Sequence, residues 1–191
     1  GVLSVVPYYN KPNQNGMFAH FKAVADASPV PVVLYNVPGR TGVNMQAATT
    51  IALSDHNNIV AIKEASGNIQ QIMEILRDKP SDFTVLSGDD AITQPLMSLG
   101  ATGVISVAAN AYPKQFCQMV HKMLDNVYSE ALSIHYRLLK MNGLLFADGN
   151  PAGVKALMSH IGLCKNVLRL PLVPVSDTVL EKIKNEYLNI K

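Results

Sequence analysis

Short apolar runs alternate with longer amphipathic stretches along this chain, and each run closes on polar or glycine positions. The runs Val2–Val6, Val30–Tyr35, Ile59–Lys63, Phe83–Ser87 and Gly103–Val107 predict strands buried on both faces. Between them, apolar residues recur at helical spacing over Gln14–Ala27, Met45–Ser54, Ile69–Arg77, Ala91–Leu99 and Pro113–Leu124. Asn68 and Asp90 stand where helix caps are expected, as does the poorer capping residue Tyr112. Beyond residue 126 the pattern is helical only, over Tyr128–Phe146, Pro151–Ile161 and Thr178–Ile190. Asn150-Pro151 is the start signal of the second of these, with proline in the first turn.

Five consecutive βα units predict a parallel sheet flanked by helices, an α/β fold. A flavodoxin-like doubly wound sheet also holds five strands, but it usually ends on its last strand and helix. It would also often carry a glycine-rich phosphate loop after the first strand, where this chain reads Pro7-Tyr8-Tyr9-Asn10-Lys11-Pro12-Asn13. The expected architecture is therefore the last five βα units of a TIM (β/α)8 barrel at residues 1–126, then a C-terminal helical extension at 127–191. That architecture calls for about three further βα units upstream. The chain opens with Gly1 rather than Met and is at once core-like, which reads as a piece of a longer protein.

Composition narrows the class without choosing a chemistry. With 191 residues, 48% of them hydrophobic, the chain is long enough to bury a sizeable core. A net charge of +2 with scattered Lys and Arg gives no electrostatic case for nucleic acid or an anionic membrane. No apolar stretch is long enough to span a bilayer, and no leader pattern is present, so the cytoplasm is the expected location. Cys117 and Cys164 show no metal-ligand or CxxC spacing and read as buried free thiols of a reducing compartment. The five histidines are dispersed, so no metal is expected from them.

Candidate chemistry gathers at the polar ends of the strand runs, which in a barrel of this kind face one pocket. In order these are Tyr8 and Tyr9, Tyr35 and Asn36, Lys63, Ser87 and Gly88, and Ser106. A lysine closing a buried strand is poorly hydrated. Desolvation disfavours its ammonium form, so the amine can act as a nucleophile near neutral pH. The alternative is a lysine that has passed the strand end and snorkels into solvent. The loop Tyr35-Asn36-Val37-Pro38-Gly39-Arg40-Thr41-Gly42 sets a Pro-Gly turn between a tyrosine and an arginine. Its guanidinium could bind a carboxylate bidentately, or Arg40 could simply be an exposed helix residue. Gly88 leaves room for a ligand, or serves a turn. Asp89 and Asp90 read as helix-start acids with a structural role.

Five segments in order, PYYNKP at 7–12, YNVPGRTG at 35–42, IKEASGN at 62–68, LSGDDA at 86–91 and GVISVAAN at 103–110, resemble the dihydrodipicolinate synthase family. That family belongs to the class I aldolase superfamily that includes N-acetylneuraminate lyase. The resemblance runs essentially the length of the chain. It implies that Lys63 forms a Schiff base with pyruvate and that Tyr35 hydrogen-bonds the adduct and relays protons. It implies that Arg40 binds the carboxylate of the aldehyde substrate, L-aspartate 4-semialdehyde, and that Gly88 and Ile105 line the pyruvate pocket. Tyr9 matches the tyrosine that reaches the neighbouring subunit's site, and Tyr8 a residue of the lysine-inhibition site in lysine-sensitive members. The implied reaction is condensation to 4-hydroxy-tetrahydrodipicolinate in diaminopimelate and lysine biosynthesis, without a metal or organic cofactor, in a homotetramer or homodimer.

Relatives acting on sugar acids share the lysine and tyrosine but typically lack an arginine in the RTG position, so Arg40 and Glu64-Ala65 favour the synthase. The alternative is another pyruvate-dependent class I lyase: an N-acetylneuraminate, keto-sugar-acid or 4-hydroxy-2-oxoglutarate aldolase. A non-catalytic sensor on a decayed barrel would have lost Lys63 or Tyr35, and both are present. The sequence departs from the family at NPAGVK, 150–155, where members often read NPIPVK. The family's Gly-Thr-Thr-Gly-Glu stretch, whose threonine joins the proton relay, has no counterpart here. Open barrel edges add to that gap, so the 191 residues alone are expected to be inactive.

Overall fold

A computed structural model describes residues 1–190. The chain forms two compact units, residues 1–105 and residues 106 onward.

The first unit is a four-stranded parallel sheet in sequential order, β1 (Val2–Val5), β2 (Val32–Asn36), β3 (Ile59–Glu64) and β4 (Thr84–Ser87). The connections carry α1 (Gln14–Ala27), the short α2 (Pro38–Thr41), α3 (Ala47–Ser54) and α4 (Ile69–Asp78). After β4 come a 3₁₀ turn at Asp90–Ile92 and α5 (Thr93–Ser98). Parallel neighbours joined by helices leave little of the inner strands exposed, and all of β3 but Val60 is buried. Met17, Phe21 and Ala25 recur at intervals of four on α1, and Ile72 with Ile75 on α4, giving each helix one apolar stripe toward the sheet. Leu34, Leu53, Ile62, Val85 and Leu96 complete this core.

Two local expectations are corrected here. The run Gly103–Val107 does not extend into a fifth strand: Val104 makes a single parallel bridge to Ser87. Past Ile105 the Ser106 hydroxyl accepts from the Ala109 amide at 2.8 Å, and a 3₁₀ turn at Ala108–Asn110 follows. A serine side chain offering the backbone this local bond competes with continued pairing. At the helix after β4 the cap is Asp89, whose Oδ1 accepts from the Ala91 amide at 2.9 Å, while Asp90 is buried. Asn68 does cap α4, accepting from the Gln71 amide at 3.1 Å.

The second unit is helical: α6 (Pro113–Leu124), α7 (Tyr128–Leu144), α8 (Ala152–His160) and α9 (Asp177–Ile190). Its core takes Phe116, Met119 and Met123 from α6, Leu138 and Met141 from α7, Leu157 from α8, and Ile183 from α9. Gly153 lets α8 pass the end of α7, since a β-carbon there would fall 2.2 Å from the Leu145 carbonyl oxygen. Neither cysteine is buried, contrary to expectation. Cys117 is exposed because it lies one position off the stripe of Phe116, Met119 and Met123, and Cys164 is half-buried in the loop after α8. Among the described residues no helix is long and apolar enough to cross a membrane, and no cluster of His, Cys, Asp or Glu could hold a metal ion.

Candidate active site

Register builds the site. β2 and β3 pair so that Tyr35 lies beside Lys63 and Asn36 beside Glu64, while β3 and β4 set Glu64 beside Ser87. Successive strand residues point to opposite faces, so Tyr35 and Lys63 share one face while Asn36 and Glu64 share the other.

On the first face, Lys63 is only 9% exposed, and its Nζ lies 4.3 Å from the centre of the Tyr35 ring, a cation–π contact. The lysine stem runs past Gly88. A β-carbon at residue 88 would meet Lys63 Cε at 3.0 Å and Ala65 Cβ at 2.7 Å, so glycine reserves the channel the side chain occupies. The Gly88 amide also donates to the Glu64 carbonyl at 2.7 Å, fixing the strand ends together. Burial pushes the Lys63 ammonium below the ordinary lysine range; the nearby Asp90 carboxylate opposes this and the Arg40 guanidinium reinforces it. Burial likewise raises the Tyr35 phenol, and Arg40 pulls it back. One exposed cation thus acts on both groups.

Arg40 is carried by α2. Pro38 opens this single turn, and Gly42, at φ +76°, closes it in the left-handed conformation while its amide bonds the Pro38 carbonyl. Of the two glycines in this loop, Gly42 takes the positive φ and Gly39 does not. Ile105 sits beside the end of β4, its amide donating to the Ser87 carbonyl at 2.9 Å. Tyr8 and Tyr9 follow β1 and are not drawn in. Tyr9 is 87% exposed with φ +67°, so it packs on almost nothing in its own chain.

Sequence reasoning treated Asp90 as structural, yet it is the buried carboxylate whose charge reaches Lys63. The second face was also unforeseen. Glu64 is fully buried there and is met by donors only: the Ser66 amide at 2.7 Å, Asn36 Nδ2 at 3.1 and 3.3 Å, and Gln71 Nε2 at 3.3 Å. Burial pushes this carboxyl up, and the donors pull it back. The available signal was strand parity: a polar residue directly after Tyr35 and directly after Lys63 must share the opposite face.

The chain matches the model of the dihydrodipicolinate synthetase family over residues 1–189. It belongs to that family. Within the dihydrodipicolinate synthetase family, it is 56% identical over 184 residues to the 4-hydroxy-tetrahydrodipicolinate synthase of Phocaeicola vulgatus, covering 96% of this chain and 62% of that one. The dihydrodipicolinate synthase structure from Thermotoga maritima superposes with a TM-score of 0.97 at 39% identity, covering 100% of this chain and 66% of its own. A chloride-inhibited dihydrodipicolinate synthase from Acinetobacter baumannii, complexed with pyruvate, gives a TM-score of 0.95 at 37% identity over 98% of this chain and 65% of its own. The chain therefore spans under two thirds of the length of these relatives, and the α/β architecture is that of the matching part of their barrels.

Proposed function

We propose that this chain carries the Schiff-base machinery of a 4-hydroxy-tetrahydrodipicolinate synthase, condensing pyruvate with L-aspartate 4-semialdehyde. The observation that carries the reading is Lys63: buried at a strand end, its ammonium disfavoured, and lying against the Tyr35 ring. The pyruvate bound in the A. baumannii relative supports the choice of first substrate.

The neutral Lys63 amine attacks the ketone carbon of pyruvate, and the ketone oxygen leaves as water, giving an imine. The imine draws electrons from the adjacent methyl group, which loses a proton to form an enamine. The enamine carbon then bonds to the aldehyde carbon of the semialdehyde. The amino group of that substrate closes onto the imine carbon, expelling the Lys63 amine with the cyclic product. Tyr35 is placed to carry protons between these steps, its raised pKa keeping it a neutral donor. Arg40 receives the semialdehyde carboxylate, and Gly88 and Ile105 bound the pyruvate pocket. A cation at that position favours this acceptor over a sugar-derived aldehyde.

Tyr9 is assigned to a neighbouring subunit's site, which its exposure suits, and Tyr8 to an allosteric surface. Both assignments go with a homotetramer or homodimer in the cytoplasm. Val2 and Leu3 are exposed on the outermost strand, which supports inactivity of the 191 residues by themselves. Turnover by that isolated chain would refute this.

The test is borohydride reduction of the complete protein containing these residues in the presence of pyruvate, followed by peptide mass spectrometry. A pyruvyl adduct on Lys63 is expected. Folded protein without one would demote Lys63 to a structural lysine.

A further inference from the structure

The Glu64 network does more than satisfy a buried carboxylate. The segment that bears Arg40 leaves the sheet at Asn36 and folds back beside it at Asn44, before α3, and these residues bond to each other, Asn36 Nδ2 to Asn44 Oδ1 at 2.8 Å. Asn36 also grips the returning backbone, its Oδ1 accepting from the Met45 amide at 3.0 Å. Gln71 of α4 locks the same base: Asn44 Nδ2 donates to Gln71 Oε1 at 2.7 Å, and Gln71 Nε2 donates to the Met45 carbonyl at 3.1 Å. Asn36 and Gln71 both close on Glu64, the residue directly after Lys63.

We propose that Glu64 is a positioning residue of the site, joining the frame of Lys63 to the frame of Arg40 through Asn36, Asn44 and Gln71. This rests on the synthase reading above. Stability alone does not account for such a cluster, because replacing a whole buried polar set by well-packed apolar side chains is often no less stable. What an apolar side chain cannot do is tie the two ends of a loop and a neighbouring strand into one geometry. The distance between a lysine that holds one substrate and an arginine that holds the other decides whether enamine and aldehyde meet. Small displacements there are costly, with about a hundredfold in rate at stake for ~1 Å.

The donors define the informative substitution. Because Ser66, Asn36 and Gln71 all donate to Glu64, the residue must offer acceptors only. Glu64→Gln preserves shape but turns an NH2 toward at least one of these donors, so the network has to open. In the complete protein, Glu64→Gln is expected to raise KM for the semialdehyde about tenfold and to slow pyruvate trapping at Lys63, while circular dichroism and a cooperative melt show folded protein. Asn44→Ala, at a half-buried position, releases only the return end of the loop. It is expected to raise KM for the semialdehyde and leave pyruvate trapping unchanged, which keeps the proposal testable if Glu64→Gln does not fold. Folded variants with unchanged KM and trapping overturn it. So does a fall in kcat alone that tracks the folded fraction, the mark of a purely structural role. Absence of any adduct in the unsubstituted protein is a different failure and strikes the synthase reading instead.

Discussion

The two faces of one strand pair behave in opposite ways. At the ends of β2 and β3, Tyr35 and Lys63 meet through a ring face and a desolvated ammonium, with glycine alongside at residue 88. One residue further on, Asn36 and Glu64 meet in hydrogen bonds that also engage Asn44, Ser66 and Gln71. Desolvation acts on both pairs. On the first face it disfavours the ammonium and so makes the neutral, nucleophilic amine more accessible. On the second, buried donors oppose it in part and hold the carboxyl in the frame. The same burial thus meets a charge with few polar partners on one face and with several hydrogen-bond donors on the other.

Removing the amine breaks the comparison outright. Lys63→Ala is expected to abolish the borohydride-trapped pyruvate adduct and to lower kcat by on the order of a thousandfold or more. Retained adduct elsewhere on the chain would show that another lysine is the nucleophile. Tyr35→Phe is a finer cut, since it keeps the ring face beneath Nζ and removes only the hydroxyl. Its expected outcome is an adduct that still forms, with kcat down about a hundredfold or more, as for loss of a general acid–base group. Equal loss of trapping and turnover would assign Tyr35 to packing the lysine and not to moving protons.

Gly88→Ala tests whether the lysine channel is reserved space. The new methyl would stand 3.0 Å from Lys63 Cε and 2.7 Å from Ala65 Cβ, and Gly88 is not at positive φ, so crowding is the only penalty. Trapping is expected to slow by roughly tenfold to a hundredfold with folding retained. An unchanged rate would mean the lysine stem has another path.

The legible parts of this site were those written in neighbouring residues. Apolar runs ending in Tyr35, Lys63 and Ser87 placed three strand ends at one mouth, because the burial of parallel strands leaves a local imprint. The Arg40 turn carried its own Pro and Gly. The framework behind it left no such imprint. Asn36 and Glu64 are 28 residues apart, and Asn44 and Gln71 are 27 apart; Asn36 and Glu64 stand out only as strand-end residues, and nothing local pairs any of the four. Only strand register makes them a cluster. Two of the misplacements were of one residue: Asp89 caps where Asp90 was expected, and Cys117 falls beside the buried stripe of α6. A helical face turns about 100° per residue, so an offset of one exchanges core for surface.

The smallest effect is also the sharpest, because it predicts opposite signs. The rate of adduct formation follows the neutral fraction of Lys63, so it should rise with pH through a midpoint below the ordinary lysine range. Arg40→Ala removes a like charge and should move that midpoint up. Asp90→Asn removes an opposite charge and should move it down. Arg40 is exposed and Asp90 is buried, so added salt should erase most of the first shift and spare the second. Stability follows the same proton. Between the lowered value in the folded state and the ordinary value in the unfolded chain, the folded state binds fewer protons, so stability should increase with pH across that window and Lys63→Met should flatten the increase. No shift from either Arg40→Ala or Asp90→Asn would mean that the lysine is tuned by burial alone and that neither charge reaches it.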